Sequence, residues 1–374
     1  MVMVQRNDKT EPAEMRNIFR RFNVFALLYG FAGLVRRALY RWQLLKSSRF
    51  DKVTVVSIGN LSMGGTGKTP HTEFLISRLS AKYQTAILSR GYGRKSHGFV
   101  STKELDAAQC SAETIGDEPL QMHLKFPDVE IAVCEQRKNG IERLLQSPEP
   151  PELIILDDAY QHIQVTPDCH ILLTEYSRPY FNDFTVPAGR LREFPSAAQY
   201  ADIIIVTKSP ADLTIEERNL FIQKLNPAQG QEVFFSSIEY KSLVPITEAA
   251  KQMELNANTP IKLITGIANP EPLLTRVSES YSRVKHFRFG DHHTFTEDEL
   301  KRIIDYDFDD KNAAIITTEK DISRMMNNYT KKIISLQPIF SFPIEMKILF
   351  EEEKKLTNKI EKICYKKSKK AQNF

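Results

Sequence analysis

The stretch Gly59-Asn60-Leu61-Ser62-Met63-Gly64-Gly65-Thr66-Gly67-Lys68-Thr69-Pro70 constrains this chain more than any other. It follows the apolar run Val53–Ile58 and precedes an amphipathic segment, so it reads strand, glycine turn, helix. That is the layout of a phosphate-binding loop. Glycines let backbone N–H groups close around phosphate oxygens, and a helix N-terminus adds positive partial charge. Gly64, Gly65, Thr66 and Gly67 would cradle the phosphates, Lys68 would reach the β/γ-phosphates, and Thr69 would offer its hydroxyl to Mg²⁺. Pro70 suits a first helical turn, where no N–H is needed. The loop departs from the common pattern in having Ser62 five residues before Gly67. Met63 stands where one sub-class carries a signature lysine, which excludes the dimeric ATPases of that sub-class.

Beyond the loop, short apolar runs alternate with helical patterns. Thr85–Leu88, Glu130–Val133, Leu153–Leu156, Ile171–Leu173 and Ile203–Val206 are unbroken and rich in Ile, Val and Leu, as expected of strands buried on both faces of a parallel sheet. Ligands gather at the carboxyl ends of such strands, where polar residues follow each run. A second α/β unit is expected from about residue 226, after Asn226-Pro227-Ala228-Gln229-Gly230. The predicted organisation is a membrane-surface region (1–52), a phosphate-loop core (53–225), a smaller α/β lobe (226–345), and a C-terminal helix with a lysine tail (346–374).

Charge is unevenly placed. Residues 1–52 hold eleven Lys/Arg against four Asp/Glu, and residues 354–374 hold eight Lys against one Glu, although the whole chain carries only +4. The middle is therefore acidic and gives no reason to expect a nucleic-acid partner. The four cysteines are scattered with no Cys-x-x-Cys pair, which argues against a zinc site or disulfide framework. Arg20-Arg21 and Arg36-Arg37 flank an uncharged stretch, Phe22–Val35, of 14 residues. As a helix it would span roughly 21 Å, too short for a bilayer core about 30 Å thick. An apolar helix flanked by arginines, with Tyr40 and Trp42 nearby, suits the headgroup boundary with its cations on anionic lipid; packing on the protein's own core is the alternative. Leu349, Leu356, Ile360 and Ile363 recur at helical spacing, which predicts a packed helix before the lysines fray into solvent.

Several clusters carry chemistry. Asp157-Asp158 ends the run Leu153–Leu156, and such rigidly held acids supply the hard oxygens that Mg²⁺ needs. Gln161-His162 would orient phosphate or substrate, or His162 would satisfy a backbone carbonyl. Asp117, within Gly116-Asp117-Glu118-Pro119, reads first as a helix cap, with the carboxylate that positions a nucleophilic hydroxyl as the alternative. Arg190 and Arg192, in a glycine-proline loop with Glu193, suit phosphate clamping or a surface ion pair. Asp291-His292-His293 offers an orienting histidine rather than a zinc set.

These motifs, with Ser89-Arg90-Gly91-Tyr92-Gly93-Arg94, Gly266-Ile267-Ala268-Asn269-Pro270 and Thr318-Glu319-Lys320-Asp321, occur in the order of a known family. The chain resembles the tetraacyldisaccharide 4′-kinases (lipid A 4′-kinases) from about Phe19 to Asp321, with Ala159 where the family usually has glycine. The resemblance implies a P-loop NTPase-like α/β/α core, a second, smaller α/β/α lobe joined by a short strand linker, and an N-terminal membrane-associated helix. It implies a monotopic kinase on the cytoplasmic face of the inner membrane. Such an enzyme moves the γ-phosphate of ATP, with Mg²⁺, to the 4′-hydroxyl of a tetraacyl disaccharide 1-phosphate. Asp117 becomes the candidate base supported by His292, with Lys68 and Arg192 also catalytic. Thr69, Asp157, Asp158 and Glu193 become the metal set, and Gln161 and His162 the nucleotide side. No obligate protein partner is inferred. The rival reading is a membrane-docked phosphate-loop switch. Against it, Thr207-Lys208-Ser209-Pro210 lacks the final acid of a guanine-binding motif.

Overall fold

The computed structural model describes residues 24–106, 109–291, 293–306, 308, 313–325 and 330–372. Arg20, Arg21, Phe22 and His292, all named above, lie outside them.

The first described element is helix α1 (Val24–Arg41). Strand β1 (Thr54–Asn60) runs into the phosphate loop and helix α2 (Lys68–Leu79). Then come β2 (Thr85–Ser89), the short β3 (Val100–Ser101), helices α3 (Ala112–Ile115) and α4 (Asp117–Lys125), and β4 (Glu130–Val133). Helix α5 (Arg137–Leu144) leads to β5 (Leu153–Leu156), β6 (Cys169–Glu175) and β7 (Ile203–Thr207), and α6 (Ile215–Leu225) to β8 (Glu232–Tyr240). The smaller lobe holds β9 (Val244–Pro245), α7 (Glu248–Lys251), β10 (Ile261–Thr265), α8 (Glu271–Ser280), β11 (Val284–Arg288) and α9 (Glu297–Ile304). It continues through β12 (Ala314–Thr317), α10 (Glu319–Met325), α11 (Lys331–Ile334) and β13 (Ile339–Ser341). The chain then returns through β14 (Ile344–Ile348) to helix α12 (Glu353–Gln372).

The larger sheet has the order β14-β8-β7-β6-β1-β5-β2-β4-β3, and only the edge strands β3 and β14 pair antiparallel. Its apolar runs are buried on both faces, as the sequence predicts. Successive residues of β1 point to opposite sides: Val56 and Ile58 join Phe74, Ile155 and Ile171, while Val55 joins Ala86, Ile154 and Leu156. The smaller sheet, β11-β10-β12-β13-β9, is likewise sandwiched, with Leu263 and Ile316 on one face and Ile264 and Ile315 on the other.

The expected start of the second unit near residue 226 marks only a turn. β8 lies beyond it and pairs parallel with β7 in the larger sheet, so the chain crosses to the smaller sheet after Tyr240. The antiparallel pair β8–β14 carries the chain out and back. Helix α12 covers the larger sheet, burying Leu356, Ile360 and Cys364 beside Met346 and Ile348, and it continues through the lysines instead of fraying before them.

Helix α1 reverses the usual arrangement of a surface helix. It buries Ala26, Gly30 and Arg37, spaced to share one face, and exposes Val24, Phe25, Leu28 and Phe31. Gly30 is required by a close approach, since a Cβ there would meet the Phe194 ring at 2.4 Å. Among the described residues, no helix is long and apolar enough to cross a membrane.

Candidate functional site

The carboxyl ends of β5, β1, β6 and β7 are adjacent in the larger sheet, and the sequence-predicted residues converge there. The phosphate loop leaves β1 and ends at Gly67, whose φ of +87° is left-handed and open to glycine at little cost. Lys68 is therefore the first residue of α2. Side chains from neighbouring strands pin the loop. Asn60 Nδ2 donates to Thr66 Oγ1 at 2.7 Å, and the Thr207 hydroxyl donates to the Thr66 carbonyl at 2.9 Å. His71 is buried, which lowers its pKa to about 4 and keeps it neutral. Its Nδ1 donates to the Gly67 carbonyl at 2.6 Å, leaving Nε2 to accept from Ser236 at 2.9 Å.

The Gly189–Glu193 loop pairs with the entry to the phosphate loop. Met63 N donates to the Arg190 carbonyl and Arg192 N to the Leu61 carbonyl, both at 2.7 Å. This pairing brings Arg192 over the end of β5, where Nη1 reaches both Asp158 oxygens at 3.1 and 3.2 Å and Gln161 Oε1 at 3.5 Å. Lys68 Nζ lies 3.8 Å from Asp158 Oδ2, and Gln161 Nε2 donates to the Asn60 carbonyl at 2.8 Å. Lys68, Asp158, Arg192 and Gln161 thus form one connected polar set. Asp158 has a φ of 46°, a conformation most side chains avoid and Asp tolerates better than most.

Asp157 is buried and accepts from Thr72 Oγ1 at 3.1 Å. Burial, together with Glu118 and Asp158, pushes its carboxyl up to about 7. This concentration of unfavourable negative charge suits a cation, and two carboxylates with the Thr69 hydroxyl are the hard donors Mg²⁺ takes. Among the described residues, no group of three or more His, Cys, Asp and Glu is spaced to hold a metal. Phosphate oxygens and water would have to complete the shell, as is usual for Mg²⁺.

Glu193, expected in the metal set, is buried against Arg37 of α1, and the two form an ion pair. Arg37 does not face anionic lipid as the sequence suggests: it is turned inward, where its Nη2 donates to the Tyr160 carbonyl at 3.2 Å. His162 lies near Arg137, Arg90 and Arg36, and burial with these cations lowers its pKa to about 4. His293 is stacked on Phe289 and bonded to Glu299 at 3.0 Å, away from the set above.

Asp117 is the first residue of α4, one past the cap position, which Gly116 occupies. The Asp117 Oδ2 accepts from Arg324 Nε of α10 at 3.0 Å, across the two lobes. Arg324 Nη1 also donates to the Gly266 carbonyl at 2.9 Å and reaches Asp321 Oδ1 at 3.3 Å, while Asp321 Oδ2 accepts from Gly266 N at 2.9 Å. The loop after β2 approaches the same point, with the Tyr92 carbonyl 3.0 Å from where a Gly116 Cβ would lie.

Sequence reasoning missed Arg324, whose only signal is its place three residues after Asp321. It also missed Lys208, which follows β7 with a φ of 54°. Lys208 Nζ donates to the Gly65 carbonyl at 2.6 Å and pairs with Glu175 at the end of β6.

A doubly wound sheet with a glycine loop, lysine, paired acids and arginine at its strand ends defines a phosphate-loop enzyme that acts on nucleoside triphosphates. The sequence pattern described as Tetraacyldisaccharide-1-P 4'-kinase matches residues 19–365, and the chain belongs to that family. The tetraacyldisaccharide 4'-kinase of Bacteroides thetaiotaomicron is 42% identical over 349 residues, covering 89% of this chain and 90% of the relative. That of Flavobacterium psychrophilum is 42% identical over 341 residues, covering 90% of this chain and 95% of the relative. A solved structure of LpxK from Aquifex aeolicus in complex with ATP matches with a TM-score of 0.68 at 26% identity, covering 94% of this chain and 100% of that chain.

Proposed function

We propose that the connected set at the strand ends performs the family's reaction. The chain is an ATP-dependent kinase of lipid A biosynthesis, acting on the 4′-hydroxyl of a tetraacyl disaccharide 1-phosphate to give the 1,4′-bisphosphate. The amides of Gly64–Gly67 and the start of α2 bind phosphate oxygens. Lys68 and Arg192 bring two cations against the charge that grows on the transferred group. Thr69, Asp157 and Asp158 would hold Mg²⁺, which would supply positive charge against the phosphate oxygens. Asp117 takes the proton of the attacking hydroxyl, with Arg324 orienting its carboxylate. His292 is assigned its supporting role by family pattern alone.

The lipid substrate accounts for α1. Its exposed Phe25, Leu28 and Phe31 suit insertion into one leaflet, giving a peripheral, monotopic attachment to the cytoplasmic face of the inner membrane, where ATP is available. Arg41 remains exposed toward anionic headgroups. A cavity of about 240 Å³ beneath α1, lined by Ala26, Leu27, Phe181, Phe184 and Phe194, offers apolar surface to an acyl chain.

The observation that carries this reading is the contact of Arg192 and Lys68 with the same carboxylate, Asp158, beside the phosphate loop. The test is incubation with labelled ATP·Mg²⁺ and detergent-dispersed disaccharide 1-phosphate. A doubly phosphorylated lipid is expected. ATP hydrolysis without lipid phosphorylation would favour the switch reading instead.

A further inference from the structure

Two consecutive arginines of α1 reach back onto the loop that carries the paired acids. Arg37 pairs with Glu193, donates to the Tyr160 carbonyl at 3.2 Å, and lies over the rings of Tyr160 and Tyr200 at 5.3 and 4.8 Å. Arg36 Nη2 donates to the Gln161 carbonyl at 3.0 Å. The backbone just after Asp158 is therefore held by the helix that also carries the exposed apolar face. A second route leads to the same acid. Glu193 is the chain neighbour of Arg192, whose guanidinium holds both Asp158 oxygens.

The left-handed backbone of Asp158 carries some cost even for an aspartate, and these contacts offset it. A buried arginine is also a costly choice for packing alone, since an apolar side chain would fill the space without desolvating a charge. A planar guanidinium that stacks on two tyrosines while donating to a carbonyl and a carboxylate does something that neither an apolar residue nor lysine can do.

We propose that Arg37, supported by Arg36, is a positioning residue that holds the Asp158 loop in the form that receives the metal–nucleotide complex. This rests on the metal role assigned above to Asp158. Seating α1 and assembling the metal site are then one event, and the helix does more than attach the enzyme to lipid.

The test reads metal binding apart from turnover. Mn²⁺ affinity is measured by electron paramagnetic resonance on the full chain with a non-hydrolysable ATP analogue. The variants are Arg37→Gln, Arg37→Lys, Arg36→Gln and the double variant Arg37→Gln/Glu193→Gln, which leaves no buried charge unpaired. Loss of an outer-shell support should weaken Mn²⁺ binding about tenfold or more in Arg37→Gln and in the double variant, with Arg37→Lys failing to restore it. Arg36→Gln removes one exposed hydrogen bond, so it should fold normally and lose about threefold. Metal-free analogue binding and vesicle binding should stay at parent levels in every variant. Parent-like Mn²⁺ affinity in the folded double variant and in Arg36→Gln would overturn the proposal, whether or not vesicle binding falls. Asp158→Asn separates the two readings. If it loses Mn²⁺ while the arginine variants do not, positioning alone fails; if it also keeps Mn²⁺, the metal role of Asp158 fails first.

Discussion

Lys68 stands at the first position of α2 with its ammonium 3.8 Å from Asp158. Lys68→Ala should lower kcat on the order of 10²-fold, because a cation facing the transferred group is lost. Near-normal turnover in a variant with a parent-like circular dichroism spectrum would remove the loop from the mechanism. Asp117→Asn keeps the side-chain shape, and Asn serves a helix start as well as Asp, while Arg324 retains Asp321 as a partner. Its kcat should fall roughly 10²–10⁴-fold with ATP affinity little changed. Unchanged kcat would reduce the Asp117–Arg324 pair to a strut between lobes. Residues at this scale were legible where a contiguous motif carries them, as with Gly64–Thr69 and Asp157-Asp158. Arg324, Lys208 and Arg37 were not, because their partners lie far away in sequence, at Asp117, Gly65 and Glu193. The sequence ends of α1 showed arginines; only the packing shows that Arg37 faces inward.

Helix α1 presents its small residues to the protein and its large apolar residues outward. A water-facing helix would do the opposite. Replacing Phe25 and Phe31 by Ser should therefore leave the melting temperature intact while vesicle sedimentation falls sharply. Activity on lipid should drop with it, and ATP affinity should not. Binding that persists unchanged would move the membrane contact to another surface. Binding by the parent should survive about 1 M salt in part, because screening acts on cations such as Arg41 and not on buried apolar area. Elements in general were readable where period and composition agree. Unbroken Ile/Val/Leu runs gave six adjacent parallel strands, β7-β6-β1-β5-β2-β4, and Leu356, Ile360 and Ile363 gave α12, with Leu349 falling just before it. The strand β8 was assigned to the wrong unit, because Asn226-Pro227 and Gly230 announce a turn and a turn does not say which sheet the next strand joins.

Three histidines, the buried His71 and the half-buried His162 and His170, are each lowered to about 4, first by desolvation. A base held below its unfolded value of 6.5 contributes stability that is present above 6.5 and lost as pH falls through about 4. The melting temperature should therefore drop by roughly 10 °C between about pH 7.5 and about pH 5. The three ring signals should stay neutral in proton resonance spectra over that range. Rings that titrate near their free value would refute the linkage. The larger lobe, in which all three lie, is also discontinuous: strand β14 and helix α12 are supplied after the whole of the smaller lobe. On a ribosome the nucleotide half is made first yet lacks one edge strand and one covering helix. β8 then presents an open hydrogen-bonding edge, and the cluster around Val56, Ile58 and Phe234 has a bare side until Glu353–Gln372 emerges. The nascent chain should thus expose both until those residues emerge, and ATP binding should follow their emergence rather than that of the phosphate loop.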